Sequence, residues 1–138
     1  MAASDSACAT LTIDLDAIAA NYRILRNRLG TATCSAVVKA DGYGLGAAPV
    51  AIRLVREGCR EFFVAQLDEA LSLRAALTGA GLDAAIYMLN GLPVGAESDC
   101  LEHRIAPVLN QLTEIDAWAS AGRARGQPVP AILHVNTG

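Results

Sequence analysis

Two kinds of segment alternate along the chain. Short apolar runs bounded by turn residues occur at Ala36-Val37-Val38, Phe62-Phe63-Val64-Ala65, Ala85-Ile86-Tyr87-Met88-Leu89, residues 105–109 and Ala131-Ile132-Leu133-His134-Val135. Runs of this length with no polar alternation predict strands buried on both faces, as in a parallel sheet. The second kind repeats at helical period. Ile18, Tyr22, Leu25 and Leu29 share one face of a first helix, with Asp16 as its expected N-cap and Gly30 just past its end. Further helices are predicted around residues 49–57, 68–77 and 97–101. A last one aligns Leu112, Ile115 and Ala119 and is opened by Thr113-x-x-Asp116, a weaker relative of the capping box.

The strand candidates begin near residues 36, 61, 84, 105 and 131. This is the rhythm of repeated β-α units in an α/β fold, each helix carrying the chain back to the start of the next parallel strand. The rhythm alone leaves open a doubly wound sheet and a (β/α)8 barrel. Pro107 lies inside the fourth run and lacks the N–H a central strand position uses, but the strand is still expected. Residues 10–15 alternate apolar and polar, which predicts a half-exposed strand outside the β-α rhythm. Residues 1–9 are expected to be disordered.

Composition narrows the function. The 138 residues are 53% hydrophobic with mean hydropathy +0.34 and a net charge of -3, which suits one domain or part of one. Without a basic block there is no electrostatic footprint for nucleic acid or an anionic membrane surface. No stretch approaches the ~20 apolar residues of a membrane span. The N-terminus has neither the charged nor the apolar region of a secretory signal, so a cytoplasmic location is expected. Cys8, Cys34, Cys59 and Cys100 form no C-x-x-C pair; they are expected to be reduced thiols filling apolar space, and no metal site is expected.

The chemistry concentrates at residues 36–46, Ala-Val-Val-Lys-Ala-Asp-Gly-Tyr-Gly-Leu-Gly. Lys39 leaves the C-terminal end of a predicted strand, the end of a parallel α/β fold where ligands and catalytic groups collect. Gly42, Gly44 and Gly46 fit neither the Walker loop nor the dinucleotide fingerprint. The loop is expected to bring backbone N–H groups and the next helix N-terminus near an anion, with Tyr43 adding a hydroxyl. A lysine amine beside a phosphate-accepting surface suits pyridoxal 5'-phosphate, held through its aldehyde. Other polar residues take simpler readings. Asp68 and Glu69 complement a helix dipole, Trp118 and Tyr22 pack in the core, His103 is a surface residue, and His134 lies in the core or lines the barrel.

Val37-Val38-Lys39-Ala40-Asp41-Gly42-Tyr43-Gly44-Leu45-Gly46 resembles the pyridoxal-phosphate attachment motif of the alanine racemases, A-V-V-K-A-[ND]-A-Y-G-H-G. Ile13-Asp14-Leu15-Asp16-Ala17-Ile18 with Asn21 resembles that family's opening strand and first helix. Leu67-Asp68-Glu69-Ala70-Leu71 with Leu73-Arg74 resembles the helix after its second strand, and Leu133-His134-Val135-Asn136-Thr137-Gly138 resembles its L-K-x-D-T-G-M segment. The resemblance implies a (β/α)8 TIM-barrel fold. Such a barrel typically takes about 250 residues, so residues 10–138 are expected to be the N-terminal portion, with five of the eight β-α units, and the C-terminal β-domain lies outside this chain. It further implies that Lys39 holds pyridoxal 5'-phosphate as a Schiff base and serves as catalytic acid/base on one face of the substrate alanine, with Tyr43 contacting the cofactor phosphate. The second acid/base would be a tyrosine of a partner subunit's C-terminal domain, so a homodimer is implied and this chain alone is expected to be inactive. A non-catalytic, pyridoxal-phosphate-binding single-domain barrel and a non-functional truncated product are the alternatives. The chain departs from the family pattern at Gly42, usually alanine, at Leu45, commonly histidine, and at His134, where many members have a lysine that becomes carbamylated.

Overall fold

The computed structural model describes residues 9–138. In order, the elements are α1 (Leu15–Arg28), β1 (Ala36–Val37), α2 (Lys39–Tyr43), α3 (Ala47–Arg56), β2 (Glu61–Val64), α4 (Leu67–Gly79), β3 (Ala85–Met88), α5 (Glu97–Glu102), β4 (Ile105–Leu109), α6 (Leu112–Arg125) and β5 (Ile132–Leu133). All five apolar runs form strands. They pair in parallel in the order β1-β2-β3-β4-β5. A doubly wound sheet reverses its strand order at a switch point; this sheet does not, and each strand lies beside the next, as in a barrel. The barrel is not closed.

Register decides which side of the sheet is core. Phe62 pairs with Ile86 and Ile86 with Ile105, while Val64 pairs with Met88 and Met88 with Pro107. These residues are buried and, Pro107 apart, cluster with Val50, Leu54, Leu73 and Leu77 from the helices. Each such side chain removed from water contributes about 1.5–3 kcal/mol. The opposite, concave face carries Val37, Phe63, Tyr87, Ala106, Val108 and Ile132 by strand alternation. Pro107 is tolerated because it sits where pairing changes hands. The β3–β4 register runs to Pro107 and the β4–β5 register starts at Val108, so the missing donor falls between two ladders.

Several local expectations are corrected. Residues 10–14 form no strand, and α1 begins at Leu15. Its N-cap is Asp14, not Asp16. Asp14 has extended backbone and accepts from the N–H groups of Asp16 and Ala17 at 2.9 and 3.0 Å, while Asp16 pairs with Arg53 at 2.9 Å. Leu25 and Leu29 are exposed, and the packed face of α1 is Ala19 and Tyr22. Likewise α6 starts before Thr113, with Gln111 as N-cap, and buries Trp118. The indole N–H of Trp118 donates to the Pro130 carbonyl at 3.1 Å.

Cys59 and Cys100 are fully buried free thiols, and Cys34 is half-buried. Burial pushes the Cys100 thiol up to about 11 and raises that of Cys59, so neither is a poised nucleophile. Cys8 and the expected disorder of the N-terminus lie outside the described residues, residue 9 apart. Among the described residues no helix is long and apolar enough to cross a membrane.

Candidate active site

The site begins where β1 ends. Val37 lies beside Phe63 and Phe63 beside Tyr87 on the concave face, and the last two rings stack with centroids 4.9 Å apart. Lys39 follows two residues after Val37, at the lip of that face. It is half-buried and makes no hydrogen bond or ion pair with another described residue.

After Lys39 the backbone turns left-handed. Ala40, Asp41, Gly42 and Tyr43 have φ of 50, 51, 63 and 58°. For residues with a Cβ this conformation costs roughly 1–2 kcal/mol each, so neighbouring contacts must offset it. Within the turn, Gly42 N–H donates to Val38 O at 2.9 Å, Gly44 N–H to Ala40 O at 2.9 Å and Gly46 N–H to Asp41 O at 2.8 Å. Two carboxylates complete it. Asp41 Oδ1 accepts from Ala47 N–H at 2.8 Å, capping α3, and Glu69 Oε1 accepts from Ala40 N–H at 2.7 Å. Gly42 is buried because the turn folds onto α3; a Cβ there would stand 3.2 Å from Ala47 N.

This geometry changes the expected role of the loop. Its N–H groups at Ala40, Gly42, Gly44, Gly46 and Ala47 are used internally, so they form no open cradle for an anion. Tyr43 is 62% exposed, and its hydroxyl is the turn's outward-facing polar group. An amine without a carboxylate partner and a phenol four residues later, both carried by one rigid turn, suit an aldehyde cofactor with a phosphate arm.

Toward the other edge of the same concave face, Asn110 and His134 follow β4 and β5. Asn110 Nδ2 donates to the carbonyls of Leu89 at 3.1 Å and Val108 at 3.0 Å. Its amide orientation is thereby fixed, which leaves Oδ1 toward His134 Nδ1 at 2.8 Å. An amide oxygen only accepts, so His134 Nδ1 carries the proton and, in the neutral ring, Nε2 is the acceptor. We expect ¹⁵N spectra of the neutral side chain to show the Nδ1–H tautomer, and Asn110→Ala to remove that preference. A dominant Nε2–H tautomer in the unaltered protein would contradict the geometry. His134 is exposed at the rim, in line with Ile132 on the concave face, which fits a barrel-lining position and not a core one. His103 is exposed, as anticipated.

Two rim residues go beyond the expectations from sequence: Glu69, expected only to complement a helix dipole, and Glu114, not singled out at all. Gln-Leu-x-Glu occurs at residues 66–69 and again at 111–114. Glu69 Oε2 accepts from Ala65 and Gln66 N–H at 2.7 and 3.1 Å, and Glu114 Oε2 accepts from Asn110 N–H at 2.7 Å. Each ties the residue leaving a strand to the first turn of the next helix. Glu114 also covers Gly91, where any Cβ would collide with the carboxylate. The repeat was the available signal. Among the described residues no group of three or more His, Cys, Asp or Glu is arranged to hold a metal ion.

Residues 13–138 match the family described as alanine racemase, N-terminal domain. The chain is 48% identical to the alanine racemase of Rhodospirillum rubrum over 100% of this chain and 36% of that protein. It is 49% identical to the catabolic alanine racemase of Mesorhizobium japonicum over 96% of this chain and 34% of that protein. Among solved structures, alanine racemase from Bartonella henselae with covalently bound pyridoxal phosphate superposes with a TM-score of 0.83 at 44% identity, covering 89% of this chain and 35% of that one. The chain spans about a third of the length of the curated relatives it matches.

Proposed function

We propose, from the premise that this chain belongs to the alanine racemase family and carries its N-terminal domain, that it supplies the cofactor lysine and one acid/base of a pyridoxal-phosphate-dependent racemisation of alanine. The observation that carries this reading is Lys39, placed at the C-terminal end of β1 beside the concave face and free of any carboxylate partner among the described residues. Lys39 is also the only lysine of the chain. When bound, pyridoxal 5'-phosphate supplies an electron sink for the charge left on the substrate's α-carbon. The remaining roles belong to the chain. Lys39 Nζ is the amine that would hold the group through its aldehyde, and as a free amine it would take or return the α-proton on its own face of the substrate. The Tyr43 hydroxyl would donate to the phosphate arm, and Phe63 with Tyr87 would keep the neighbouring wall apolar.

A group that returned the proton to the face it came from would restore the starting enantiomer. Racemisation therefore needs a second acid/base on the opposite face, and we assign that group to a segment outside these 138 residues, contributed by a second subunit of a homodimer. On this reading residues 10–138 are the N-terminal part of the barrel and turn over no alanine by themselves. The test is chemical trapping. Pyridoxal 5'-phosphate followed by borohydride is expected to fix the pyridoxyl group on the peptide containing Lys39. Labelling confined to the α-amino group, or none, would overturn the assignment.

A further inference from the structure

We propose that Glu69 is a positioning residue for Lys39, acting through the peptide bond that joins Lys39 to Ala40. The inference rests on the reading of Lys39 given above. A glutamate in the first turn of a helix ordinarily reaches back to the N-cap N–H, as Glu69 Oε2 does toward Gln66 at 3.1 Å and, one residue earlier, Ala65 at 2.7 Å. That task leaves the second oxygen for solvent. In Glu69 it is not left. Oε1 reaches across to β1's exit and accepts the Ala40 N–H at 2.7 Å. One carboxylate thus joins the loop after β1 to the loop after β2.

Ala40 is where the joint is needed. It is the first left-handed residue, with φ 50° and ψ 50°, and alanine has no intrinsic preference for that region. Released from Glu69, the Lys39-Ala40 peptide is free to rotate toward right-handed backbone, and the direction in which the lysine side chain leaves the main chain rotates with it. A charge-assisted hydrogen bond to the peptide itself opposes this directly. Glu114 supplies an internal comparison. It occupies the same place in the second Gln-Leu-x-Glu and caps Asn110 in the same way, but has no contact with the lysine turn. Loss of Glu114 removes a cap of the same kind and leaves Lys39 alone.

The test compares Glu69→Gln with Glu114→Gln in the same protein, using hydrogen exchange of the Ala40 amide without cofactor and the equilibrium for pyridoxal 5'-phosphate attachment. A glutamine keeps one acceptor oxygen and places an NH2 where the second was, so it cannot serve both Ala40 and Ala65. We expect Glu69→Gln to speed Ala40 exchange and weaken attachment, each roughly tenfold, with Glu114→Gln within about twofold of the unaltered protein on both. Unchanged Ala40 exchange and attachment in Glu69→Gln, or equal changes in the two variants, would overturn the proposal. If Glu69→Gln does not fold, Glu69→Asp, charged but one methylene short, is held to the same outcomes. Absence of attachment in the unaltered protein would instead refute the reading of Lys39, which separates the two failures.

Discussion

Lys39→Ala is expected to abolish side-chain attachment of pyridoxal 5'-phosphate, with loss of the visible absorption that the unaltered protein is expected to gain on mixing. The expectation is unusually sharp for this chain because every other cationic side chain at neutral pH is arginine. Guanidinium stays protonated and is no nucleophile toward an aldehyde, so no neighbouring amine substitutes for the one removed. Stability should hardly move. Lys39 makes no hydrogen bond or ion pair with a described residue, and a half-buried side chain of that kind changes stability by about 0.5 kcal/mol or less on truncation. On the proposed function, the same substitution in a full-length polypeptide carrying this domain should lower turnover by roughly 10³-fold or more, since one group would be both attachment point and acid/base. A Lys39→Ala protein that kept the absorption, or that unfolded, would show that the lysine serves something else.

Lys39 and the left-handed turn behind it differ in how far the order of residues reveals them. Lys39 was legible because an apolar run, a lysine and glycines at 42, 44 and 46 follow one another in the chain. The five strands were legible for the same reason: each is a contiguous run whose burial depends on its own side chains. The left-handed path through Ala40, Asp41 and Tyr43 was not, because alanine and tyrosine seldom adopt it and what holds it there comes partly from Glu69, on another β-α unit. Glu69 itself looked like an ordinary first-turn acid, which it also is. Its second contact exists only once β1 and β2 are paired. The N-cap of α1 failed on a finer scale. Asp14 and Asp16 are both suitable residues; Asp14 takes the cap with extended backbone at φ -89° and ψ 97°, while Asp16 lies inside the first turn and pairs with Arg53. Residues 10–14 have strand-like alternation but no partner strand, so their pattern had nothing to pair with.

Arg74→Met should separate stability from chemistry. Arg74 is 6% exposed, and its guanidinium donates to His103 O at 2.9 Å, Arg104 O at 3.0 Å and Asp83 Oδ1 at 2.9 Å. These partners lie just before β3 and β4, at the end of the sheet opposite Lys39. Methionine preserves most of the apolar stem but strips the donors from two carbonyls, each costing about 1–3 kcal/mol when left unsatisfied. The loss of stability should therefore be about 2–6 kcal/mol. Arg104→Ala should cost less, about 0–1 kcal/mol, because the Arg104–Asp83 pair is solvent-exposed on both sides. Asp83 adds a pH dependence. The hydrogen bond from Arg104, then the nearby charges, holds its carboxyl below the ordinary range, so its contribution is present at neutral pH and lost as the pH falls through that lowered value. In parallel α/β barrels the N-terminal face serves stability and the C-terminal face chemistry. Below its lowered melting temperature, Arg74→Met should accordingly attach pyridoxal 5'-phosphate with unchanged affinity. Denaturant unfolding and cofactor titration on the same sample decide the matter: weakened attachment in the folded variant would mean that the two ends of the sheet are coupled.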